Sequence, residues 1–153
     1  MRNLWIFIHL LGMVMWLGGG LAVMFAGIAS KQFAREQLGS VARLFAVIHT
    51  KVIAPGAGLV VLSGLVLTMQ LMSALGAGAG GSISPWIMSM QGAGLLGAVL
   101  VIVVSLPAST RAARLDPVSQ AAAFDALRTR LRIVGAVSGI LGMIALLSGA
   151  MYR

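Results

Sequence analysis

The sequence predicts an all-α protein, a bundle of four transmembrane helices, and three observations carry that prediction. Charged residues make up 9% of the 153 residues and hydrophobic ones 59%, with a mean hydropathy of +1.03, whereas a soluble domain carries roughly 25% charge to cover its surface. The apolar residues fall into four runs, each long enough to cross a hydrocarbon layer about 30 Å thick. The basic residues gather in the segments between runs one and two and between runs three and four, which is the pattern of positive-inside topology. Removing the four runs leaves no long soluble segment, so residues 1–153 read as one transmembrane domain. The formal net charge of +8 then belongs to topology and not to nucleic-acid binding. The chain has no cysteine, which excludes disulfides, iron–sulfur clusters and thiolate metal sites.

The first helix is predicted over residues 4–29, with Trp5 as an interfacial anchor. Arg2 ahead of an apolar core has the look of a signal peptide, but the run exceeds a typical h-region and reads as a retained helix. Gly18, Ala22 and Ala26 repeat at i+4, a spacing that lets two helix backbones approach. From Ser30 to Arg43 polar and apolar residues interleave, which predicts a short helix on the membrane surface. The second helix is predicted over 52–72, with Pro55 in its first turn, where a missing N–H costs little. Ser73 to Pro85 is rich in Gly, Ala and Ser and has no charge, so it reads as a flexible external loop. The third helix is predicted over 85–106, opening with Pro85 and Trp86 and leaving at Pro107. Asp116-Pro117 and the alanines that follow predict a second short surface helix. The fourth spanning helix is expected over 133–152, with Gly135, Gly139 and the pair Ser138/Gly142 as a close-packing face. With both basic loops on the cytoplasmic side, both termini lie outside, as in a multi-pass protein of a bacterial inner membrane. Leu-Ser-Gly occurs in the second and the fourth helix (Leu62 to Gly64, Leu147 to Gly149), as a duplicated hairpin would leave it.

Few residues can carry chemistry. At about 100° per residue, His9, Met13, Trp16 and Gly20 share one stripe of the first helix. An imidazole is costly in hydrocarbon, so it faces protein, water or a cofactor. His9 lies roughly 7 Å below the outer end of its helix, in a layer that also collects Met69, Met72, Met88, Met90, Met151 and the amide of Gln91. Imidazole with thioether suits haem iron or Cu(I); methionine also serves as a gap filler in cores. For His9 itself, a structural hydrogen bond, ligation and proton relay stay open. His49, beside Lys51 and Arg43, reads as an interface residue about 20 Å away, which argues against one haem held by both histidines. No carboxylate falls within a span, no serine has a histidine and acid arranged for nucleophilic attack, and the glycine clusters lack the lysine of a phosphate loop. Redox chemistry would therefore come from a bound cofactor.

The pattern His9-x2-Gly12-x3-Trp16-x-Gly18-Gly19 resembles the first helix of the HemJ-type protoporphyrinogen oxidases and of the related four-helix CopD-like membrane proteins. Lys51-x3-Pro55-x8-Gly64-Leu65 is similar to that family's second helix, and Trp86 stands where its third helix opens. Met88 and Met90 replace the His and Lys that follow this Trp in the oxidases. The Asn-Glu-x-Pro of their fourth helix has no counterpart around Leu131 to Gly135, so the chain resembles the CopD-like branch more closely. The resemblance implies haem b within the bundle with His9 as an axial ligand. Gly12, Met13 and Trp16 would then line the pocket, with Gln91 in the same layer and Met88, Met90 or a second protomer as the sixth ligand. The function expected is electron transfer or a small membrane oxidoreductase working with a quinone or a membrane redox partner. The alternatives are a Cu(I)-binding or copper-transport protein using His9, Met88 and Met90, and a cofactor-free structural or assembly subunit. The small-residue faces of the first and fourth helices make a homodimer an expectation in each case.

Overall fold

An apolar chain in a bilayer must satisfy its backbone hydrogen bonds within each span, which leaves helices as the simplest solution. In the computed structural model, residues 2–76 and 84–151 are described, and every regular element among them is helical. Four helices are long and apolar enough to cross a membrane: α1 (Arg2–Gln32), α2 (Arg35–Ala74), α3 (Pro85–Ala112) and α4 (Ala121–Met151). The most glycine-rich part of the expected external loop and Tyr152, the expected end of the last helix, lie outside the described residues.

The helices extend further than the apolar runs do. The polar stretch from Arg35 to Arg43 is not a separate surface helix but the opening turns of α2. It holds because its Leu38 and Ala42 bury against Phe124 of α4. Likewise α4 starts at Ala121, twelve residues ahead of its uncharged span, since the alanine-rich segment offers nothing to stop it. Pro55 and Pro107, expected at a helix start and a helix exit, both lie inside continuous helices. Each follows a widened π-helical turn, His49–Ile53 in α2 and Leu100–Ser105 in α3. Proline cannot donate to the carbonyl four residues back, and a π-turn is one way for a helix to absorb that loss. A third π-turn, Val14–Gly18, carries Trp16 in α1.

Packing is strongest within two hairpins, α1 with α2 and α3 with α4. The first closes on glycine: a side-chain carbon at Gly12 would stand 2.8 Å from the Gly56 carbonyl, and one at Gly56 would stand 2.7 Å from the Trp16 amide nitrogen. The small-residue faces work differently from the expectation. Gly142 and Ser138 face the core, while a side-chain carbon at Gly18, Gly135 or Gly139 would meet nothing within 4 Å among the described residues. Gly12, Gly19, Gly56 and Gly97 make the close approaches in their place.

The central core joins Met13, Trp16, Ile53, Ala57, Val60, Ala98 and Val101. A smaller cluster of Leu38, Ala42 and Phe124, with Leu115 beside it, closes the basic end. There Arg35 reaches across to the α3–α4 connection. It donates from Nε to the Pro117 carbonyl at 2.7 Å and pairs through Nη2 with Asp125 at 2.8 Å.

Candidate functional site

His9 is seated on α2. Ser63, fully buried, donates its one hydroxyl hydrogen to the Leu59 carbonyl of its own helix. Its oxygen is then left to accept from His9 Nδ1, 3.0 Å away. With the hydrogen bonds assigned in this way, the neutral ring carries its proton on Nδ1 and its lone pair on Nε2, with the Val60 backbone as a further partner of the ring. The ring lies over Gly64, where a side-chain carbon would stand in ordinary van der Waals contact, 3.4 Å from His9 Cε1. One turn further along α2, Thr68 donates to the Gly64 carbonyl at 2.8 Å and accepts from Gln91 Nε2 of α3 at 2.8 Å. A polar layer thus links α1, α2 and α3 through consecutive turns of α2.

The same seat recurs in the other hairpin. Ser148 of α4, also buried, donates to Ser89 Oγ of α3 at 3.1 Å, and the next residue, Gly149, lies against Met90, whose sulfur would be 3.1 Å from a carbon added there. The two Leu-Ser-Gly sequences therefore mark corresponding places: His9 leans on Ser63-Gly64, and Ser89-Met90 on Ser148-Gly149. Seven residues inward from His9 and from Met90 come Trp16 and Gly97. These two touch, with the indole lying over the bare glycine.

Trp16, 2% exposed, fills the centre of the bundle. Its Nε1–H donates to Ser138 Oγ at 3.3 Å, and Ser138 donates to the Gly97 carbonyl at 3.2 Å, so one indole ties α1, α4 and α3 together. Met13 is buried one turn outward, in the same core. Outward of Met13 the first half of α1 packs chiefly on α2, with no comparable packing on α3 or α4 among the described residues. His9 is accordingly only partly buried.

Of the residues expected at the site, His9, Met13 and Trp16 share the inward stripe, and Gly12 is the contact point with α2; Gly20, expected on the same stripe, is exposed, because the π-turn Val14–Gly18 alters the register ahead of it. Gln91 meets α2 through Thr68. Met90 packs on α4, while Met88, two residues away and so on another face of α3, is 62% exposed. The structure does not bring the two methionines to one place. His49, read as an interface residue, is a buried side chain of α2. It is 7% exposed within the π-turn of α2, its Nδ1–H donating to the Phe45 carbonyl at 2.9 Å. Ser63, Thr68, Ser138 and Ser148 were not legible as site residues. Ser63 and Ser148 stood out only through the repeated Leu-Ser-Gly, Ser138 only as part of a close-packing face, and Thr68 only as a hydroxyl in an apolar run; a hydroxyl bonded to its own helix gives the same signals.

Protein-family models, curated proteins and solved structures, all compared with this chain, contain no match to it.

Proposed function

We propose that the chain binds haem b in the outer half of the bundle, with His9 Nε2 as an axial ligand, and works in electron transfer or as a small oxidoreductase of a bacterial inner membrane. One observation carries this: His9 Nδ1 lies 3.0 Å from the buried Ser63 hydroxyl, which makes Nε2 the nitrogen to offer a ligand. A second partner on the far nitrogen is how ligating histidines are commonly oriented. The motif resemblance to the HemJ-type and CopD-like proteins supports the same group. For the second ligand, Met90 is favoured over Met88, because Met90 occupies the seat corresponding to that of His9 in the other hairpin. Copper held by His9, Met88 and Met90 together fits less well, since the two methionines diverge.

When bound, the haem iron would accept and release one electron. The chain would orient the ligating ring through Ser63, with Met13 and Trp16 buried on the inner side of the site. A quinone or a membrane redox protein is the electron partner this requires. The basic ends of the helices set the orientation, with the termini on the outer face and the opening turns of α2 and α4 at the cytoplasmic surface.

The test is the absorption spectrum of the purified protein, with metal analysis, from cells supplied with haem. A Soret band that H9A abolishes and W16F retains supports the proposal. Wild-type protein without a Soret band, even after reconstitution, overturns it. H9A would then act on stability alone, as a structural subunit requires.

A further inference from the structure

We infer that Arg128 forms a seat for the phosphodiester of an anionic phospholipid at the basic end of the bundle. Nine of the eleven basic residues lie at this end, against all three acidic ones. The ion pair among the described residues joins Arg35 to Asp125. Asp116 is engaged in its own turn, accepting from Ser119 Oγ at 2.7 Å and from the Val118 amide at 3.0 Å. Arg128 has no carboxylate within ion-pair distance among the described residues, yet it is held firmly. Ser30, 1% exposed, spends its hydrogen on the Gly27 carbonyl at 2.9 Å and so accepts from Arg128 Nη2 at 3.2 Å. The guanidinium carbon also stands 5.9 Å from the ring centre of Phe124, which is fully buried. A guanidinium fixed by one hydrogen bond and one aromatic face keeps several N–H groups for a bidentate oxyanion.

Depth selects the ligand. Arg128 precedes the uncharged stretch of α4 that begins at Ile133, and its partner Ser30 closes the apolar run of α1, with Lys31 next in the chain. This is the headgroup layer, where the anions present in quantity are lipid phosphates, and basic side chains there are drawn to anionic lipid. The space beneath the guanidinium, between Phe45, Ser109 and Phe124, is a cavity of about 20 Å³. It has the size of about one water, too small for a phosphodiester or an acyl chain, so the headgroup docks on the guanidinium outside it and the tails stay in the bilayer.

Native mass spectrometry of the full chain in neutral detergent tests this, counting retained lipid during titration with phosphatidylglycerol, phosphatidylcholine or inorganic phosphate. Saturable retention of phosphatidylglycerol over phosphatidylcholine is expected, without competition from inorganic phosphate. R128Q should weaken it by more than tenfold, about, against about fivefold or less for R130Q, the effect of losing one surface charge. R128K keeps the charge but not the fork, and should weaken binding several-fold. Equal retention of both lipids, displacement by inorganic phosphate, or equal losses in R128Q and R130Q would overturn the inference. If R128Q does not fold, R128K decides: binding as in wild type means that diffuse charge suffices and the seat does not exist.

Discussion

The six-membered ring of Trp16 lies 2.8 Å from where a side-chain carbon of residue 97 would stand. The two hairpins meet on that contact, and an indole can cross from α1 to the α3–α4 pair only because position 97 carries no side chain. G97A should therefore force the ring aside and cost about 1–3 kcal/mol of stability. G56A should cost at least as much, since its neighbours are backbone atoms of α1 that cannot swing away. G142A meets the flexible end of Leu17 first, and should cost less. G135A, with open space around it, should stay within about 0.5 kcal/mol. Reversible unfolding in mixed micelles would rank the four.

Removing the Ser138 hydroxyl leaves the buried Trp16 N–H without its partner. S138A should cost about 1–2 kcal/mol. The coupling in a W16F/S138A cycle should fall near 0.6 kcal/mol and below about 1.7 kcal/mol, the range measured for hydrogen bonds between membrane helices. A coupling near zero would mean that the indole is held by shape alone.

Ser63 acts on His9 through the ring's tautomer. If His9 ligates haem as proposed, S63A should lower haem affinity by about 10- to 100-fold, as loss of a ligand's outer partner does. Nitrogen chemical shifts of the protein without haem should show Nδ1 protonated in wild type and a tautomer mixture in S63A. The shift measurement stands whether or not haem binds, so the orientation of the ring and the identity of its ligand are tested separately.

Arg35 and Asp125 form an ion pair that is 41% and 52% exposed. D125N should change stability by less than about 1 kcal/mol, because water and salt screen an exposed pair. R35A should cost more than D125N, because it also removes the short bond to the Pro117 carbonyl. An equal loss in both variants would place the clamp in the ion pair alone.

The hydrogen bonds from Ser119 and then Val118 hold the Asp116 carboxyl below its ordinary value of 3.8. A depressed carboxyl stabilises the turn above its unfolded value, and that contribution fades as pH falls through the lower folded value. Amide exchange in residues 116–120 should therefore quicken only at strongly acidic pH, and at higher pH in S119A. The carboxyl is fully exposed, so overall unfolding should scarcely move.

Composition and run length alone determined that this chain is four apolar helices, because a bilayer forbids any open backbone and spares few charges. The inward stripe of α1 was legible as far as Trp16, because the helical period places His9, Met13 and Trp16 together, but Gly20, expected on the same stripe, lies beyond the π-turn on an exposed face. Helix ends were less legible, since α2 and α4 are prolonged by the burial of Leu38, Ala42 and Phe124 on one another, a contact between residues more than 80 positions apart. The prolines misled because a helix can widen ahead of Pro55 and Pro107 instead of ending there. Partners were decided only in three dimensions. A serine in an apolar run bonds its own helix or a neighbouring one with equal ease, so which of them meets His9, Trp16 or Ser89 depends on how the hairpins rotate against each other. That rotation is set at Gly56 and Gly97, where the backbone is bare enough for the helices to touch.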